Sequence, residues 1–311
     1  MPPALHAEIQ FAGSLYFMSV LLCDSNCELW YTDIEKLGID FIPMPYVCGD
    51  SEYLYDLGRH TDFAAFYSAV RGGAVPKTQA LNPDNYKDII GSYFSKGQDV
   101  LYICFSKAMS GTFAQLDKAL AELKEQYPGR KCTVFDTKSI SLGAGIQVME
   151  AAKLKNRGAS DEEIIAFLNE FTNRVAVYFV VDDLMHLKRG GRLSAASAAM
   201  GTLLSIKPVL TFNSQGGLSV IEKVTGRRKA IRNLAEKVAR QITGFEYPVY
   251  VLDADCKEEG DQLAGLIRER RPEANVLRQT VGPVIGAHCG PGTLGVIFIA
   301  DRRPIPLENV K

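Results

Sequence analysis

Several features that would point to a particular class of protein are scarce or missing in this sequence. Its 311 residues carry 35 basic and 36 acidic side chains, and the net charge of -1 provides no field that would attract nucleic acid or an anionic membrane. It has no uninterrupted apolar run of the roughly 18 residues that a membrane span requires. We therefore expect no nucleic acid partner and at most transient contact with a membrane.

Cysteine is sparse and scattered. The seven cysteines include Cys23 and Cys27, four positions apart, but no second pair follows them, and others lie within apolar runs such as LYICF and KCTVF. This pattern favours reduced core thiols in a cytoplasmic protein without a metal site. Residues 1–17 have no basic segment followed by a long apolar core, so they do not resemble a secretory signal, and we expect them to be an extension outside the fold.

Two sequence motifs for acyl and phosphoryl transfer are also missing around the serine-rich stretch SKAMSGTFAQ. It contains neither G-x-S-x-G, the motif of a serine hydrolase, nor G-x-x-x-x-G-K-[ST], the motif of a phosphate-binding loop. Ser110, Gly111 and Thr112 stand where a strand gives way to a helix. Free backbone N–H groups there either bind an anion or are capped by a side chain, and the residues alone leave both interpretations open.

Length and apolar patterning predict two domains. Residues 18–157 alternate amphipathic stretches with short apolar runs, among them SVLLCD, DFIPMPYVCGD, DVLYICF and KCTVFDT, which predicts an α/β domain with a doubly wound parallel sheet. Residues 158–311 predict a mixed-sheet α+β domain, in which KPVLTF and GLSVIEKV form a hairpin around the turn-forming NSQGG. The boundary precedes Ser160, a helix cap followed by acidic residues.

The predicted parallel strands end in small polar clusters. In open α/β sheets ligands bind at the carboxyl ends of the strands, so we expect these clusters to converge on one edge. They comprise Asp24 and Ser25 after the first strand, Ser106, Ser110, Gly111 and Thr112 after a later one, and Asp136, Ser139 and Ser141 after the next.

Two further motifs carry groups that bind ligands or partners. One of the four histidines, His288, lies in VGPVIGAHCGPGTLGV, where Gly286 and other glycines predict a tight loop that presents the imidazole. The stretch HLKRGGRLS predicts a basic, glycine-hinged loop that includes Arg189 and Arg192. A structural histidine and a solvated charge cluster are the alternative interpretations of these two segments.

Taken together, these segments resemble one family. CDS, PKT, MSGTF, FDTKSISLGAG, LKRGGRLS, IKPVLTFNSQGGL, KVTGRRKAI and GAHCGPGTLGV occur in the order and spacing typical of DegV proteins, the fatty-acid-binding subunits of bacterial fatty acid kinase. The resemblance implies two α/β domains (the EDD fold) with a long-chain fatty acid in a tunnel between them. It implies that Thr78, Ser110 and His288 hold the carboxylate, and that Arg189 and Arg192 dock the catalytic subunit of the kinase.

The resemblance also implies that the chain has no catalytic residue and no cofactor of its own. The supporting loops of the site are then formed by Asp24, Ser25, Gly111, Thr112, Asp136, Ser139 and Gly286. One segment departs from the family pattern: after Thr78 the usual KTSQPSP is replaced by KTQALNP, with Gln79, Ala80 and Leu81. These replacements leave the preferred acyl chain length open.

A second hypothesis, from a different class, is an enzyme. It assigns small-molecule phosphotransferase or hydrolase chemistry to Asp24, Asp136, Ser110 and His288, and predicts a compact polar pocket. The fatty-acid carrier predicts a long apolar tunnel that ends at Thr78, Ser110 and His288. The shape and polarity of the cavity therefore separate the two hypotheses.

Overall fold

The structure, a computed structural model, describes residues 19–192, 206–305 and 307. The predicted extension at 1–17 and the last residues of LKRGGRLS lie outside this part of the chain. The described residues form a four-stranded sheet, a six-stranded sheet and a small three-stranded sheet. None of the helices in these ranges is long and apolar enough to cross a membrane.

The four-stranded sheet is parallel throughout and confirms the predicted α/β domain. Its strands are β1 (Val20–Asp24), β2 (Asp40–Ile42), β6 (Val100–Cys104) and β7 (Cys132–Asp136), in the order β2-β1-β6-β7. Every residue of β6 is buried, which requires cover on both faces of the sheet. The helices of this domain are α1 (Tyr31–Leu37), α2 (Phe63–Arg71), α3 (Pro83–Phe94), α4 (Thr112–Gln126) and α5 (Leu142–Asn156).

The run DFIPMPYVCGD does not form one buried parallel strand, and that expectation was wrong. The chain leaves the parallel sheet after Ile42 and continues as β3 (Pro45–Cys48), which pairs antiparallel with β4 (Ser51–Leu54) and β5 (Lys77–Thr78). Proline has no N–H for a central ladder, so the prolines of this run interrupt it. The result is a separate small sheet whose β5 carries Thr78.

The six-stranded sheet is mixed, as predicted, with the order β10-β9-β8-β13-β11-β12. Only β11 and β12 pair in parallel among its described ladders, and the expected hairpin places Leu218 opposite Phe212. Its strands are β8 (Val175–Val180), β9 (Ile206–Phe212), β10 (Leu218–Thr225), β11 (Val249–Asp253), β12 (Val276–Thr280) and β13 (Leu294–Ile299). Its helices are α6 (Asp161–Phe171), α7 (Leu184–Arg189), α8 (Arg227–Gln241), α9 (Lys257–Arg270) and α10 (Pro283–Cys289).

The two faces of the six-stranded sheet pack into different hydrophobic cores. One face packs against α8 and α9 and forms a core of its own. The other face, which includes Val177, Phe212 and Ile297, belongs to the larger core that continues into the parallel-sheet domain. The inner face of this sheet is therefore the place where the two layers of the molecule meet.

The predicted domain boundary falls in the turn between α5 and α6. Ser160 caps α6 as expected, with its side chain accepting from Glu163 N–H in a capping box. Asp161 in the first turn of α6 accepts a hydrogen bond of 2.6 Å from the Ser19 hydroxyl, and Lys155 donates to Ser19 at 2.8 Å. These bonds tie α6 to the start of the first strand, and the division of the chain at 157/158 stays a prediction.

Candidate ligand-binding site

A cavity lies between the parallel-sheet domain and the inner face of the six-stranded sheet. Most of its wall is apolar and comes from both domains, which suits a hydrocarbon ligand better than a polar one. The apolar residues lining it include Met44, Phe105, Met109, Ile140, Val177, Phe179, Leu187, Phe212, Leu218, Leu252, Val281, Val284, Ile285, Val296 and Ile297.

Thr78 and His288 meet at a polar part of this wall. The Thr78 Oγ1 atom lies 2.8 Å from His288 Nε2, although the two residues are 210 positions apart in the chain. Burial, together with the positive charge of Arg192, lowers the pKa of His288 to about 4. The imidazole is therefore neutral near pH 7, and one of its nitrogens carries a proton.

His288 lies on a helix, so the expected tight loop was wrong. Helix α10 begins with Pro283 at its first position, where a missing N–H costs no hydrogen bond. Gly286 sits within α10, and a Cβ atom at this position would stand 2.6 Å from the Tyr67 hydroxyl and 3.0 Å from the Phe66 ring. Gly286 thus allows α10 to approach the first domain closely, and the glycines of this segment serve packing as much as turning.

Ser110 lies where the sequence places it, directly before α4. Its hydroxyl oxygen accepts the Thr112 N–H at 3.2 Å, which leaves the hydroxyl hydrogen available to a ligand, and Ser110 lines the cavity with Thr78 and His288. Gly111 caps α4, and a Cβ there would contact nothing within 4 Å. Thr112 is buried and shares a 2.9 Å hydrogen bond with the Tyr86 hydroxyl, so it supports the helix start and does not reach the cavity.

The basic segment HLKRGGRLS is partly helical, which corrects the expectation of a loop. Helix α7 ends at Arg189, which is exposed, whereas Arg192 is half-buried and lines the cavity. The Arg192 Nε donates to the Met109 carbonyl at 3.0 Å, and burial lowers the pKa of its guanidinium. Gly190 lies against His288 so closely that a Cβ atom at Gly190 would overlap the Nδ1 atom of the imidazole. The docking role of Arg189 and Arg192 stays a prediction.

The carboxyl ends of β1, β6 and β7 do converge on one edge of the parallel sheet, as expected from its order. Asp24, however, is 1% exposed and lies behind the cavity wall. One of its oxygens accepts the Asn26 N–H at 3.0 Å, and the other accepts the Tyr102 hydroxyl at 2.9 Å and the Phe105 N–H at 3.3 Å. Burial raises the pKa of Asp24 to about 6, and its hydrogen bonds partly offset this rise.

The remaining predicted loop residues, Ser25, Asp136 and Ser139, do not line the cavity. The Ser25 hydroxyl accepts the Met44 N–H at 2.9 Å, which ties the small sheet to the first strand. Asp136 accepts the Lys138 N–H at 2.9 Å and pairs with the Lys138 ammonium at 2.8 Å. Ser139 is 2% exposed, and its main-chain carbonyl accepts the Ser106 N–H at 2.7 Å. None of these three side chains is among the residues that line the cavity in the described part of the chain.

The segment that departs from the family pattern lies next to the polar end of the cavity. Gln79 is exposed and lines the cavity beside Thr78, Ala80 is exposed, and Leu81 is buried in the core. Of the three replacements, Gln79 is therefore the one that can contact a ligand.

Sequence reasoning missed Glu28 altogether. It is 1% exposed and follows the first strand in the left-handed backbone region, with a φ of 53°. Its carboxylate accepts hydrogen bonds from the Ser141 hydroxyl and the Gly282 N–H, and Ser141 lines the cavity. No local pattern distinguishes Glu28 from a surface acid, because its partners are 113 and 254 positions away.

The fold and the site together define a two-domain α/β protein with an apolar cavity that ends in hydroxyls and an imidazole. A model of the DegV family, whose members are described as uncharacterised proteins, matches residues 19–301, and the chain belongs to this family. A DegV domain-containing protein of Clostridium perfringens is 36% identical over 285 residues, which cover 91% of this chain and 98% of the relative.

Solved structures of two further relatives share the fold. A fatty-acid-binding DegV family protein from Thermus thermophilus is similar with a TM-score of 0.79 at 28% identity, covering 91% of this chain and 99% of the other. DegV from Bacillus subtilis, a fatty acid binding protein, is similar with a TM-score of 0.77 at 29% identity, with the same coverage. The resemblance stated from the sequence motifs is thus confirmed at the level of family and fold.

Proposed function

We propose that this protein binds a long-chain fatty acid in the cavity, with the carboxylate held by Thr78, Ser110 and His288. The observation that carries the proposal is an apolar cavity between two domains that ends at the hydrogen-bonded pair of Thr78 and His288. Fatty acid binding by the relatives from Thermus thermophilus and Bacillus subtilis supports it.

The polar end of the cavity suits a carboxylate because its side chains can donate hydrogen bonds and are partly shielded from water. When the proton of the neutral imidazole is on Nε2, His288 donates to Thr78 Oγ1, and the Thr78 hydroxyl hydrogen is free for a carboxylate oxygen. The Ser110 hydroxyl likewise accepts the Thr112 N–H and can donate its own hydrogen to the carboxylate. A buried carboxylate needs such donors, since losing its hydration without replacement costs several kcal/mol.

The apolar wall would supply most of the affinity. Burial of hydrocarbon contributes about 0.8 kcal/mol per CH₂, so a sixteen-carbon tail contributes roughly 12 kcal/mol before the costs of ordering and association are subtracted. The polar end then determines the direction in which the acid lies, with the carboxylate near the half-buried Thr78 and Ser110 and the tail in the interior.

The finer proposal is that the protein presents the bound acid to a separate kinase that forms an acyl phosphate. The chain is then a cytoplasmic, bacterial carrier subunit of a kinase system in phospholipid metabolism, and the chemistry takes place on the partner. The exposed Arg189 and its neighbour Lys188 at the end of α7 lie beside Gly190, which contacts His288, so a docked partner would reach the carboxylate end. Arg192 is half-buried and lines the cavity, so its contribution to docking would come from the cavity side of this segment.

The test is organic extraction of the purified protein followed by mass spectrometry, with Ser110→Ala and His288→Ala prepared in parallel. We expect near-stoichiometric fatty acid in the wild type and less in both variants. The chain length and unsaturation of the extracted acid also report which ligand fits beside Gln79. Absence of bound acid, together with failure to take up added palmitate or oleate, would refute the proposal.

The enzymatic alternative finds little support in the geometry. Its two acids, Asp24 and Asp136, have their oxygens engaged by main-chain N–H groups, Tyr102 and Lys138, and neither lines the cavity. A compact polar pocket was its main expectation, and the wall around Ser110 and His288 is mostly apolar. We therefore give the carrier as the function that the site supports best.

A further inference from the structure

Helix α10 belongs to the second domain in sequence but is held by the first. It packs on β3 and β5 of the small sheet as well as on α7. The Tyr67 hydroxyl of α2 donates to the Val281 carbonyl at 2.8 Å just before the helix, and Thr78 of β5 bonds His288 near its end. A helix of seven residues is about 10 Å long and has no stability of its own, so these contacts determine where it lies.

Glu28 provides the contact at the beginning of α10. One carboxylate oxygen accepts the N–H of Gly282, the residue that caps the helix, and the other accepts the Ser141 hydroxyl. The Glu28 main-chain carbonyl accepts the side-chain amide of Gln279 from the end of β12. A single buried residue thus bonds to the first domain through Ser141 and to both ends of the segment that joins β12 to α10.

The main chain at Glu28 adopts an uncommon conformation. With φ 53° and ψ 20° the residue is in the left-handed region, which is uncommon for glutamate, and its N–H bonds to the Ser25 carbonyl at 3.2 Å. Such a conformation persists only where the surroundings require it. Here Glu28 is the residue that ends the short 3-10 helix Ser25–Cys27, and from this position its side chain reaches Gly282.

The position of α10 matters to the ligand because the helix forms one wall of the cavity. Val284, Ile285, His288 and Cys289 all line it. A shift of α10 would move the apolar wall and the imidazole together, and it would break the bond of 2.8 Å between His288 and Thr78.

We propose that Glu28 is the positioning residue of the site: it anchors the start of α10 to the first domain and thereby holds His288 and the helical wall in the geometry that binds the ligand. This inference rests on the proposed function for its effect on fatty acid affinity. Its effect on the environment of His288 does not depend on that function, so the positioning role and the proposed function can be tested separately.

The experiment compares Glu28→Ala and Glu28→Gln with the wild type, all stripped of lipid. Glutamine keeps the length and can accept from Gly282 N–H with its oxygen while its amide donates to Ser141, whereas alanine loses both bonds. We expect palmitate affinity, measured by isothermal titration calorimetry, to fall at least tenfold in Glu28→Ala and to stay within threefold of wild type in Glu28→Gln.

The matched control is Thr172→Val. Thr172 is 2% exposed, and its hydroxyl oxygen lies 2.6 Å from the Leu168 carbonyl and 2.7 Å from the Gln147 side-chain oxygen, neither of which belongs to α10. The variant therefore loses buried hydrogen bonding without changing the contacts of Glu28. It should lower the melting temperature and leave palmitate affinity within threefold of wild type. A general loss of stability would then be distinguished from a loss of positioning.

The second readout is the titration of His288 by NMR in the lipid-free protein. With four histidines in the chain, assignment by substitution is practical. We expect the pKa of His288 to rise toward 6.5 in Glu28→Ala, because a displaced helix admits water to the imidazole, and to stay at the wild-type value in Glu28→Gln and Thr172→Val.

Unchanged palmitate affinity and unchanged His288 titration in Glu28→Ala would overturn the inference, as would equal losses in the glutamine variant. If the wild type binds no palmitate, the proposed function fails, and the His288 titration still decides the role of Glu28. If Glu28→Ala does not fold, Gln279→Met replaces it: this variant keeps the volume and removes only the bond to the Glu28 carbonyl. It should weaken palmitate binding by more than threefold, and an affinity within threefold of wild type would count against the positioning role of Glu28.

Discussion

The group around Asp24 and the group around His288 are both polar and both held inside the protein, yet they are bonded in opposite ways. In the closed cluster, Asp24 and its donors Tyr102, Asn26 N–H and Phe105 N–H satisfy one another. In the open cluster of Thr78, Ser110 and His288, the Ser110 hydroxyl can donate its hydrogen, and the Thr78 hydroxyl can do so when Nε2 of His288 carries the proton. The buried Nδ1 atom of His288 has no hydrogen-bond partner among the described residues.

The difference teaches how to separate a ligand site from a scaffold. All of these residue types are common in active sites, and the sequence analysis assigned residues of both clusters to the candidate site. What distinguishes them is hydrogen-bonding capacity directed at the wall of the cavity, since most buried polar groups are satisfied within the protein. Substitutions in the closed cluster should therefore reduce stability, and substitutions in the open cluster should reduce affinity.

The largest effect is expected for Asp24→Ala. It leaves three buried donors without an acceptor, at a cost of about 1 to 3 kcal/mol each, so we expect the free energy of unfolding to fall by at least about 3 kcal/mol. Urea unfolding of the lipid-free protein measures it. The variant that remains folded should bind palmitate within threefold of wild type. A stable variant that had lost palmitate binding would contradict the distinction between the clusters.

The second effect is a pH dependence of stability from Glu28, which is also a closed group. Burial raises its pKa to about 7, while bonds from Ser141 and Gly282 oppose the rise. Folding thus favours the neutral form, so this contribution is complete below about pH 4.5 and is lost as the pH rises through about 7. Relative to Glu28→Gln, the wild type should lose about 3 kcal/mol between those limits.

Unfolding of the wild type and Glu28→Gln by urea, at a series of pH values, tests this prediction. Asp24 is present in both proteins, so its own titration cancels in the difference. A difference in unfolding free energy that does not change with pH would show that folding leaves the pKa of Glu28 at its ordinary value.

The third effect belongs to the open cluster. His288→Ala removes the imidazole that orients Thr78, and a hydrogen bond to a charged group contributes about 1.5 to 3 kcal/mol, so palmitate affinity should fall by about 10- to 100-fold. Calorimetry on the lipid-free variant measures the affinity. Its unfolding free energy should change less than that of Asp24→Ala, and the reverse order would break the comparison.

The smallest effects come from a matched pair of serines in one segment. Ser110→Ala removes a cavity donor and should weaken palmitate binding about tenfold, with little change in stability. Ser106→Ala removes a buried hydroxyl that donates to the Gly216 carbonyl at 2.8 Å, and it should cost about 1 kcal/mol of stability with palmitate affinity unchanged. Calorimetry and urea unfolding of both variants test the pair, and equal effects on affinity would refute the assignment of Ser110 to the site.

Much of the architecture was predictable from local pattern. The continuous apolar run VLYIC predicted a fully buried parallel strand, Ser160 followed by Glu163 predicted a capped helix, and NSQGG between two apolar runs predicted the hairpin. The candidate site was predicted from the order of motifs that resemble the DegV family. The hydrophobic pattern did not predict the short helices α7 and α10, which were expected to be loops. They have too few residues for a helical period to appear around their glycines.

By itself the sequence determined the periodicity, caps and turns that specify strands and helices, since these depend on residues close together in the chain. Only the tertiary structure decided which polar groups meet: Thr78 with His288, Glu28 with Gly282, and Arg192 with the Met109 carbonyl. These pairings join residues 83 to 254 positions apart, and the packing of two domains selects them. The same packing placed the open cluster at the wall of the cavity and enclosed Asp24, and no local property of the two segments encodes that difference.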